Sequence, residues 1–456
     1  MPDAARTAAT ARRPRSGRAG RLRTAGAVLA LTAVATALVT VGVTGPRTAH
    51  VDLYTEGVAL DPAGAVVAVP VGTDPELYPG TRVLDDGSDV SAALAAEQRD
   101  WLAAGDVPGA DGPYADMVTD ALLDLRTLMD VGVDGAVVAA WSPYWRYVWP
   151  RDASFVAVAL ARTGHVADAV EVLDFLAGVQ EADGSFQARY LPDGSGVPDD
   201  RGTQTDGTGW VLWAAAQVVT AVQDPGDRAA TAQHLRPLVD ASATRAEELV
   251  AGDGLPPASA DYWEVDEDDL TLGTVAPLLA GLEAATALYT ELDDPAATQR
   301  ARAAADLTRA AVEDEFGDDS DYGRYAGTDQ ADAASAFTLP PFQPAPLTGA
   351  LDAWQDSREA MTREAGGLAP GAGWRDDGIS WTPQTSLYAL TAATNGRTDE
   401  ARSWLTWLDA HRTGTGALPE KVLADGEPAA VAPLAWTAAC VVLAVAALDE
   451  AGADGG

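Results

Sequence analysis

Cysteine and histidine are nearly missing from this chain: 456 residues hold one Cys and four His. Cys440 has no second cysteine to pair with, which excludes an intramolecular disulfide. Four scattered histidines give no metal cluster, so neither a metal nor a cofactor is expected. Lysine is reduced to Lys421, with arginine everywhere else. There is no Gly-rich phosphate loop, dinucleotide fingerprint or nucleophile elbow, which removes the commonest nucleotide-dependent and serine-hydrolase chemistries. Basic charge is scarce as well. Lys+Arg number 30 against 68 Asp+Glu, a formal charge of −38 that repels phosphate backbones and argues against a nucleic-acid partner. The remaining composition is that of a folded protein, since 47% hydrophobic and 21% charged residues exclude disorder throughout. At this length the chain is too long for one small core and fits one large helical toroid or two or three average domains.

The few positive charges are unevenly placed. Residues 1–23 carry Arg6, Arg12, Arg13, Arg15, Arg18, Arg21 and Arg23 against Asp3, a net +6 that leaves −44 for the rest. Residues 24–45, TAGAVLALTAVATALVTVGVTG, contain no charge. About 20 apolar residues at 1.5 Å rise cross a ~30 Å hydrocarbon core. A basic flank before the span and an acidic body after it predict a cytoplasmic tail (1–23), a transmembrane signal anchor (24–45) and a body outside the cell. Cleaved signal peptides have a shorter apolar stretch, about 7–15 residues, and no convincing small-x-small cleavage site follows this one before Pro46. Secretion after cleavage is the alternative to single-pass anchoring in the cell membrane.

Residues 46–110 predict a short β and irregular lead-in. Within it VDLYTEGVALDPAGAVVAVPVG (51–72) alternates and is interrupted by Asp61-Pro62-Ala63-Gly64, the pattern of a β-hairpin. From Tyr114 the period changes to apolar residues three and four apart, rich in Ala and Leu and punctuated by Gly, Pro and Asp. Helices are expected at 114–130, 152–163, 166–180, 207–222, 228–251, 273–291, 296–315, 347–364, 384–395, 398–412 and 433–449. This is an all-α body over 111–450, with the helix number that a toroid of helical hairpins requires. DFLAGVQEADGSFQARY (174–190) and TWLDAHRTGTGALPEKV (406–422) both run from a helix end through Gly into a charged loop. That faint repeat supports stacked hairpins whose functional loops share one rim.

His165 and His411 sit at helix boundaries and read as solvated or capping residues rather than ligands, which leaves carboxylates and aromatics for chemistry. Thirteen Trp is high for this length. Trp141, Trp145 and Trp149 precede Arg151-Asp152, Trp263 precedes Glu264, and Trp374 and Trp381 flank Arg375. A sugar ring has an apolar face that stacks on indole and an equator of hydroxyls that bonds Asp and Arg, so these loops fit carbohydrate. Trp210, Trp213, Trp404 and Trp407, at three-residue spacing inside helices, read instead as plugs of the core.

Four segments carry a resemblance. YVWPRDASFVAVAL (147–160), QTDGTGWVLW (204–213), DYWEVDE (261–267) and LPEKV with PLAWTAA (418–439) are similar, in order and spacing, to the signatures of the glucoamylase-type glycoside hydrolases, family 15. The resemblance covers about residues 114–448. It implies an (α/α)6 barrel and an exo-acting, inverting attack that releases glucose from the non-reducing end of an α-glucan or α-glucosyl oligosaccharide. Carried over residue by residue, it makes Glu264 the general acid and Glu420 the general base. Trp149, Arg151 and Asp152 would hold the terminal sugar, with Trp263 and Trp381 beside it. Asp206 would shape the pocket floor, and Arg375 would be a second sugar-binding arginine. The residue types suit the chemistry. Inversion needs one protonated and one ionised carboxyl about 6.5–9.5 Å apart. Trp263 beside Glu264 offers an apolar neighbour that desolvates a carboxyl, and Lys421 beside Glu420 offers a cation that keeps one charged.

One departure bears on substrate. Starch-acting members often carry an aromatic before the QxDG segment, whereas this chain has PDDRGTQ (198–204). A trehalase-like or an isomaltose- or dextran-type linkage therefore stays open. Two other readings compete. Asp266-Glu267-Asp268-Asp269 spells the DxDD acid motif of class II terpene cyclases, and FLAGVQEADGSF (175–186) resembles their repeat. A non-catalytic glycan-binding envelope protein is the second, although a lectin needs neither Glu264 nor Glu420.

Overall fold

The computed structural model describes residues 49–317 and 321–454; the expected cytoplasmic tail and membrane anchor lie outside them. The described part opens on the expected hairpin. β1 (Gly57–Leu60) and β2 (Val66–Val69) pair antiparallel, Gly57 opposite Val69 and Leu60 opposite Val66. Asp61 makes the turn by accepting hydrogen bonds from the backbone N–H of Ala63 and Ala65.

Helices follow: α1 (Asp89–Ala104), α2 (Ala115–Met129), α3 (Pro150–Arg162), α4 (Val166–Val179), α5 (Asp206–Ala221), α6 (Pro225–Val250), α7 (Leu272–Glu291), α8 (Pro295–Val312), α9 (Ala350–Met361), α10 (Thr382–Thr394), α11 (Thr398–Ala410) and α12 (Ala435–Asp454). All of α2–α12 fall within a few residues of the expected ranges. The fold is the expected toroid of six helical hairpins. Its inner ring runs α12, α3, α5, α7, a 3-10 helix at Ala333–Thr338, and α10, each packed on the next and α10 closing on α12. The outer ring is α2, α4, α6, α8, α9 and α11.

The two rings differ in sequence because they differ in surroundings. Every residue from Pro150 to Ala161 of inner α3 is buried, and α10 is buried from Thr382 to Ala393. Helices enclosed on all sides are apolar or small all round. Outer α8 buries one stripe only, Ala297, Ala301, Ala305, Thr308 and Val312, which is the three-and-four spacing visible in the sequence. Inner α7 and residues 435–452 of α12 are long and apolar enough to cross a membrane, yet 83% and 72% of those spans are buried inside the toroid. They are core helices.

Three features depart from expectation. Helix α1 was not expected, because it buries only Ser91, Ala95 and Gln98, a stripe without large apolar residues. Its start is nevertheless capped, Ser88 accepting from the Ser91 N–H. One inner member is a six-residue 3-10 helix instead of an α-helix. A small sheet also forms from β3 (Ser380–Trp381), β4 (Lys421–Val422) and β5 (Pro428–Ala429), with β4 central. Trp210 and Trp213 plug the toroid as expected, meeting Phe155, Phe337 and Phe342 at ring separations of 4.7–5.5 Å and each other at 5.8 Å. Trp404 and Trp407 do not. They are half-buried on outer α11, where Trp407 Nε1 donates to the Ala365 carbonyl.

Helices α5 and α7 touch through glycine. A Cβ on Gly209 would lie 2.1 Å from the Pro277 carbonyl oxygen, and one on Gly281 would lie 2.7 Å from the Gly209 Cα. Alanine is favoured over glycine inside a helix by about 1 kcal/mol. Here the helices would have to part, and overpacking of this kind costs about 1–3 kcal/mol. Gly209→Ala is therefore expected to lower stability in chemical denaturation; a neutral or stabilised variant would show that the two helices separate freely.

Candidate active site

The loops at one end of the toroid surround a cavity of about 280 Å³. Its wall includes Trp145, Trp149, Arg151, Asp152, Arg189, Arg201, Tyr262, Trp263, Glu264, Trp374, Trp381, Gln384, Glu420, Lys421 and Trp436. Two glutamates 156 positions apart in the chain thus share one hollow.

Glu264 stands in the loop between α6 and α7. Its backbone has φ +57°, the left-handed region that a non-glycine residue occupies at a cost of roughly 1–3 kcal/mol. A tight turn fixes it there, the Glu264 N–H donating to the Asp261 carbonyl at 2.8 Å. Its carboxylate meets cations instead of the expected apolar neighbour. Arg151 Nη1 lies 3.3 Å from Oε1, Gln204 Nε2 donates to Oε1 at 3.2 Å, and Arg201 Nη1 donates to Oε2 at 2.8 Å. The Trp263 ring is occupied by the Arg324 guanidinium, 3.6 Å from its centroid.

Arg324 organises what lies behind that loop. It is 1% exposed and its fork reaches Asp261 and Asp332 at 3.1–3.2 Å and Glu267 at 2.5 Å. Asp261 in turn accepts from the Trp263 N–H and the Thr271 hydroxyl. Tyr262 donates to Asp332 and to the Pro370 carbonyl. The run Asp266–Asp269 therefore turns away from the cavity, Glu267 inward to Arg324 and the three aspartates to solvent. No DxDD acid faces the hollow.

Glu420 immediately precedes β4 and is pinned through its backbone. Its N–H donates to the Val431 carbonyl at 2.8 Å, and its carbonyl accepts from the Thr382 N–H at 3.0 Å. The side chain is nearly buried, with Lys421 Nζ 3.2 Å from Oε2. Lys421 also lies 4.2 Å over the Trp381 ring, so the chain's one lysine bridges the glutamate and an aromatic wall.

The first turns of two inner helices supply the floor. Pro150 starts α3, and the Arg151 and Asp152 that follow are buried and 3.0 Å apart. Arg151 stacks over Trp436 at 4.8 Å and comes within 3.9 Å of Asp206, the first residue of α5. Asp206 itself is buried beneath Arg151 and does not line the cavity. Burial pushes its carboxyl up to about 7, against the pull of Arg151 and with help from Asp261 and Glu264. Asp152 is raised by burial too, partly offset by Arg151.

A pH dependence follows from Asp206. Folded, the carboxyl holds its proton up to about pH 7; unfolded, only to about 3.9. Its contribution is complete below pH 4 and disappears as pH rises through 7, so stability should rise on acidification from pH 8 to 5. We expect Asp206→Asn to flatten that rise by about 2–4 kcal/mol, read from thermal unfolding at both pH values. Equal slopes in the two proteins would remove Asp206 as the source.

Other expected residues fall in different places. Arg375 is exposed, 5.6 Å over Trp374, and outside the cavity wall. Trp141 is also outside, covered by Arg146 at 4.0 Å. His165 is buried and stacked on Trp101 with 4.0 Å between rings, and burial lowers its proton affinity. His411 Nδ1 pairs with the Trp407 carbonyl. Residues the sequence reading passed over include Arg189 and Arg201, which Asp199 ties together, and Trp436 on α12. The PDDRGTQ segment already held one of these arginines.

The wall is rich in unused hydrogen-bonding capacity. Among the described residues, 21 buried side-chain polar atoms make no hydrogen bond, and ten belong to residues of this cavity, including Trp149, Trp381, Gln384 and Trp436; the Asp152 and Glu420 oxygens among them face only the cations Arg151 and Lys421. Native interiors leave few such atoms unpaired, and nearly half of those here gather around this one cavity.

No family model matches the chain. Over 96 residues it is 38% identical to an uncharacterized glycosyl hydrolase of Methanocaldococcus jannaschii, a stretch that covers 21% of this chain and 15% of that relative. In structure it is similar to a glycosidase solved in its wild-type form, with TM-score 0.61 and 20% identity over 73% of this chain and 96% of the other. A bacterial glucoamylase complexed with acarbose superposes with TM-score 0.64 and 17% identity, over 80% of this chain and 60% of that one. The glucoamylase of Saccharomycopsis fibuligera gives TM-score 0.59 and 14% identity, over 83% and 99%. These likenesses establish the architecture: the chain has the helical toroid of the glucoamylases.

Proposed function

We propose that the protein is an exo-acting, inverting α-glucoside hydrolase. The observation that carries this reading is the meeting of Glu264 and Glu420 in one aromatic-walled cavity. The cavity, about 280 Å³, lies at the lower edge of typical ligand pockets of about 300–1,000 Å³, and below it Phe155, Trp210 and Phe337 fill the toroid, in contact with Tyr262 and Trp436. A glucan cannot thread through such a floor. Only a chain end fits, which supports release of a terminal sugar.

In this mechanism Trp149, Trp381 and Trp436 cover the sugar's apolar faces, while Asp152, Arg151 and Gln384 take its hydroxyls. Glu264 gives its proton to the glycosidic oxygen as the C–O bond breaks. Glu420, held beside Lys421, takes a proton from the water that attacks the anomeric carbon from the other side. Solvent then returns both carboxyls to their starting states. Where starch-acting glucoamylases often carry an aromatic, Arg201 stands at the mouth, which favours a short or differently linked α-glucoside over long maltodextrins. Glucose release should be measured from maltose, maltotriose, isomaltose, trehalose and dextran, with the first anomer identified. β-Glucose is expected first; α-glucose first would rule out inversion, and no release from any substrate would sink the hydrolase reading.

We also propose that residues 24–45 anchor the protein in the cell membrane with the hydrolase domain outside. The basic flank before the span and the acidic body after it support this orientation. Protease treatment of intact cells should digest or release the body while a cytosolic control survives; joint survival would place the body inside.

A further inference from the structure

We infer that Tyr144 and Tyr54 extend the cavity into an outer sugar-binding site, so that the preferred substrate carries at least two sugars beyond the bond that is cut. This rests on the reading of the cavity as the seat of a terminal glucose. Among the described residues two aromatic side chains are exposed, Tyr54 at 47% and Tyr144 at 74%. The other described aromatic rings are buried or half-buried, as large apolar groups usually are. Both exceptions meet at one place. Tyr144 lines the cavity next to Trp145, and the Tyr54 ring lies 6.0 Å from the Trp145 ring at an angle of 56°.

Two distant segments build this surface and hold it rigid. Trp145 packs on Ala140, Val431 and Leu434, its N–H donating to the Ser142 carbonyl and its carbonyl accepting from the Ala140 N–H. The Tyr144 carbonyl accepts from Arg189 Nη1 at 3.0 Å. Tyr54 comes from the lead-in ahead of the toroid. Its N–H donates to the Ala430 carbonyl at 2.7 Å, and the Ala430 N–H donates in turn to the Asp52 carbonyl at 3.0 Å. The hydroxyl of the next residue, Thr55, donates to the Ala432 carbonyl at 2.7 Å. Rings carried on a pinned backbone lose little freedom when a ligand lands on them, which favours binding.

Position decides the occupant. Phe155, Trp210 and Phe337 close the floor, so whatever follows the terminal sugar must pass through the mouth. The rim runs from Glu264 through Arg201, Asp199 and Arg189 to Tyr144. The departing side of the bond, next to the acid, therefore opens toward Tyr144, with Tyr54 farther out beside Trp145. A sugar presents an apolar face to such rings and hydroxyls to the charged rim. PDDRGTQ (198–204) holds no aromatic, so these tyrosines supply the stacking surface that the segment lacks.

The test measures kcat/KM on trehalose, maltose, maltotriose, isomaltose and isomaltotriose for the unmodified protein, Tyr54→Ala, Tyr54→Phe and Tyr144→Ala. For the linkage that is cut, the unmodified protein should favour the trisaccharide. Tyr54→Ala should lower the trisaccharide-to-disaccharide ratio about three- to tenfold, and Tyr54→Phe, which keeps the ring, should retain it. Tyr144→Ala should lower both values, because its ring meets the first leaving sugar. An unchanged ratio in Tyr54→Ala, or an equal loss on both substrates, would reduce Tyr54 to a packing contact of Trp145 and overturn the outer site. Cleavage of trehalose alone would overturn the outer site and leave the hydrolase reading standing. No glucose from any of these sugars would overturn both.

Discussion

Glu264→Gln and Glu420→Gln should each lower turnover by about 10²–10⁴-fold, the range in which positioned general acids and bases act. Glutamine keeps the shape of each side chain and most of its contacts, but an amide neither delivers a proton to a departing oxygen nor takes one from water. The two losses should differ in kind. At position 264 an amide would point either its oxygen or its NH₂ group at Arg201, which already donates to Oε2, so substrate binding is expected to change along with turnover. At position 420 the backbone is pinned on both sides and the amide keeps Lys421 as neighbour, so the defect should fall on kcat. Asp268→Asn is the control, because Asp268 is exposed on the far side of the loop and its substitution should change the rate little. Turnover of Glu420→Gln equal to that of the unmodified protein would remove the base assignment.

Arg324→Met should be the most destabilising single change. Its guanidinium is the cation shared by Asp261, Asp332 and Glu267, with Asp261 and Asp332 fully buried. Removing one partner of a buried ion pair costs about 3–5 kcal/mol, because the remaining charge is left in a medium that does not solvate it. Protonation relieves part of that cost. Burial already pushes Asp332 up to about 6, so the defect should be smaller at pH 5 than at pH 8. Lysine should not rescue the loss, since an ammonium cannot reproduce a planar fork on three carboxylates and also cover the Trp263 ring. The consequence reaches catalysis, because this network holds the turn that keeps Glu264 at positive φ. Urea unfolding at the two pH values reads the stability, and a loss below about 1 kcal/mol would show that the carboxylates do not depend on Arg324.

Much of this was legible in order along the chain. Apolar spacing placed eleven of the twelve helices, and Asp61 to Gly64 marked the hairpin turn. What periodicity could not show is α1, whose buried stripe is Ser91, Ala95 and Gln98, and the 3-10 helix that takes the place of an inner α-helix. Nor could it separate Trp210 from Trp407. Both lie at helical spacing, but one helix is enclosed by neighbours and the other has a solvent face. Adjacency in sequence was a poor guide to electrostatics. Trp263 precedes Glu264, yet its ring serves Arg324, and the glutamate meets Arg151 and Arg201 from other segments.

The sequence by itself determined the all-helical class, the two glutamates singled out for chemistry, and an acidic protein with few cations to place. The class and the charge follow from local periodicity and residue type, which neighbours along the chain express directly; the two glutamates were singled out by the resemblance to the glucoamylase-type hydrolases. The tertiary structure decided that four of those scarce cations, Arg151, Arg189, Arg201 and Lys421, gather around one cavity. It also decided that Arg375 stays out and that the DxDD aspartates face solvent. Contacts of this kind join distant segments, 63 positions apart for Arg201 with Glu264 and 113 for Arg151 with Glu264, and closing the ring of helices is what brings them within hydrogen-bonding distance.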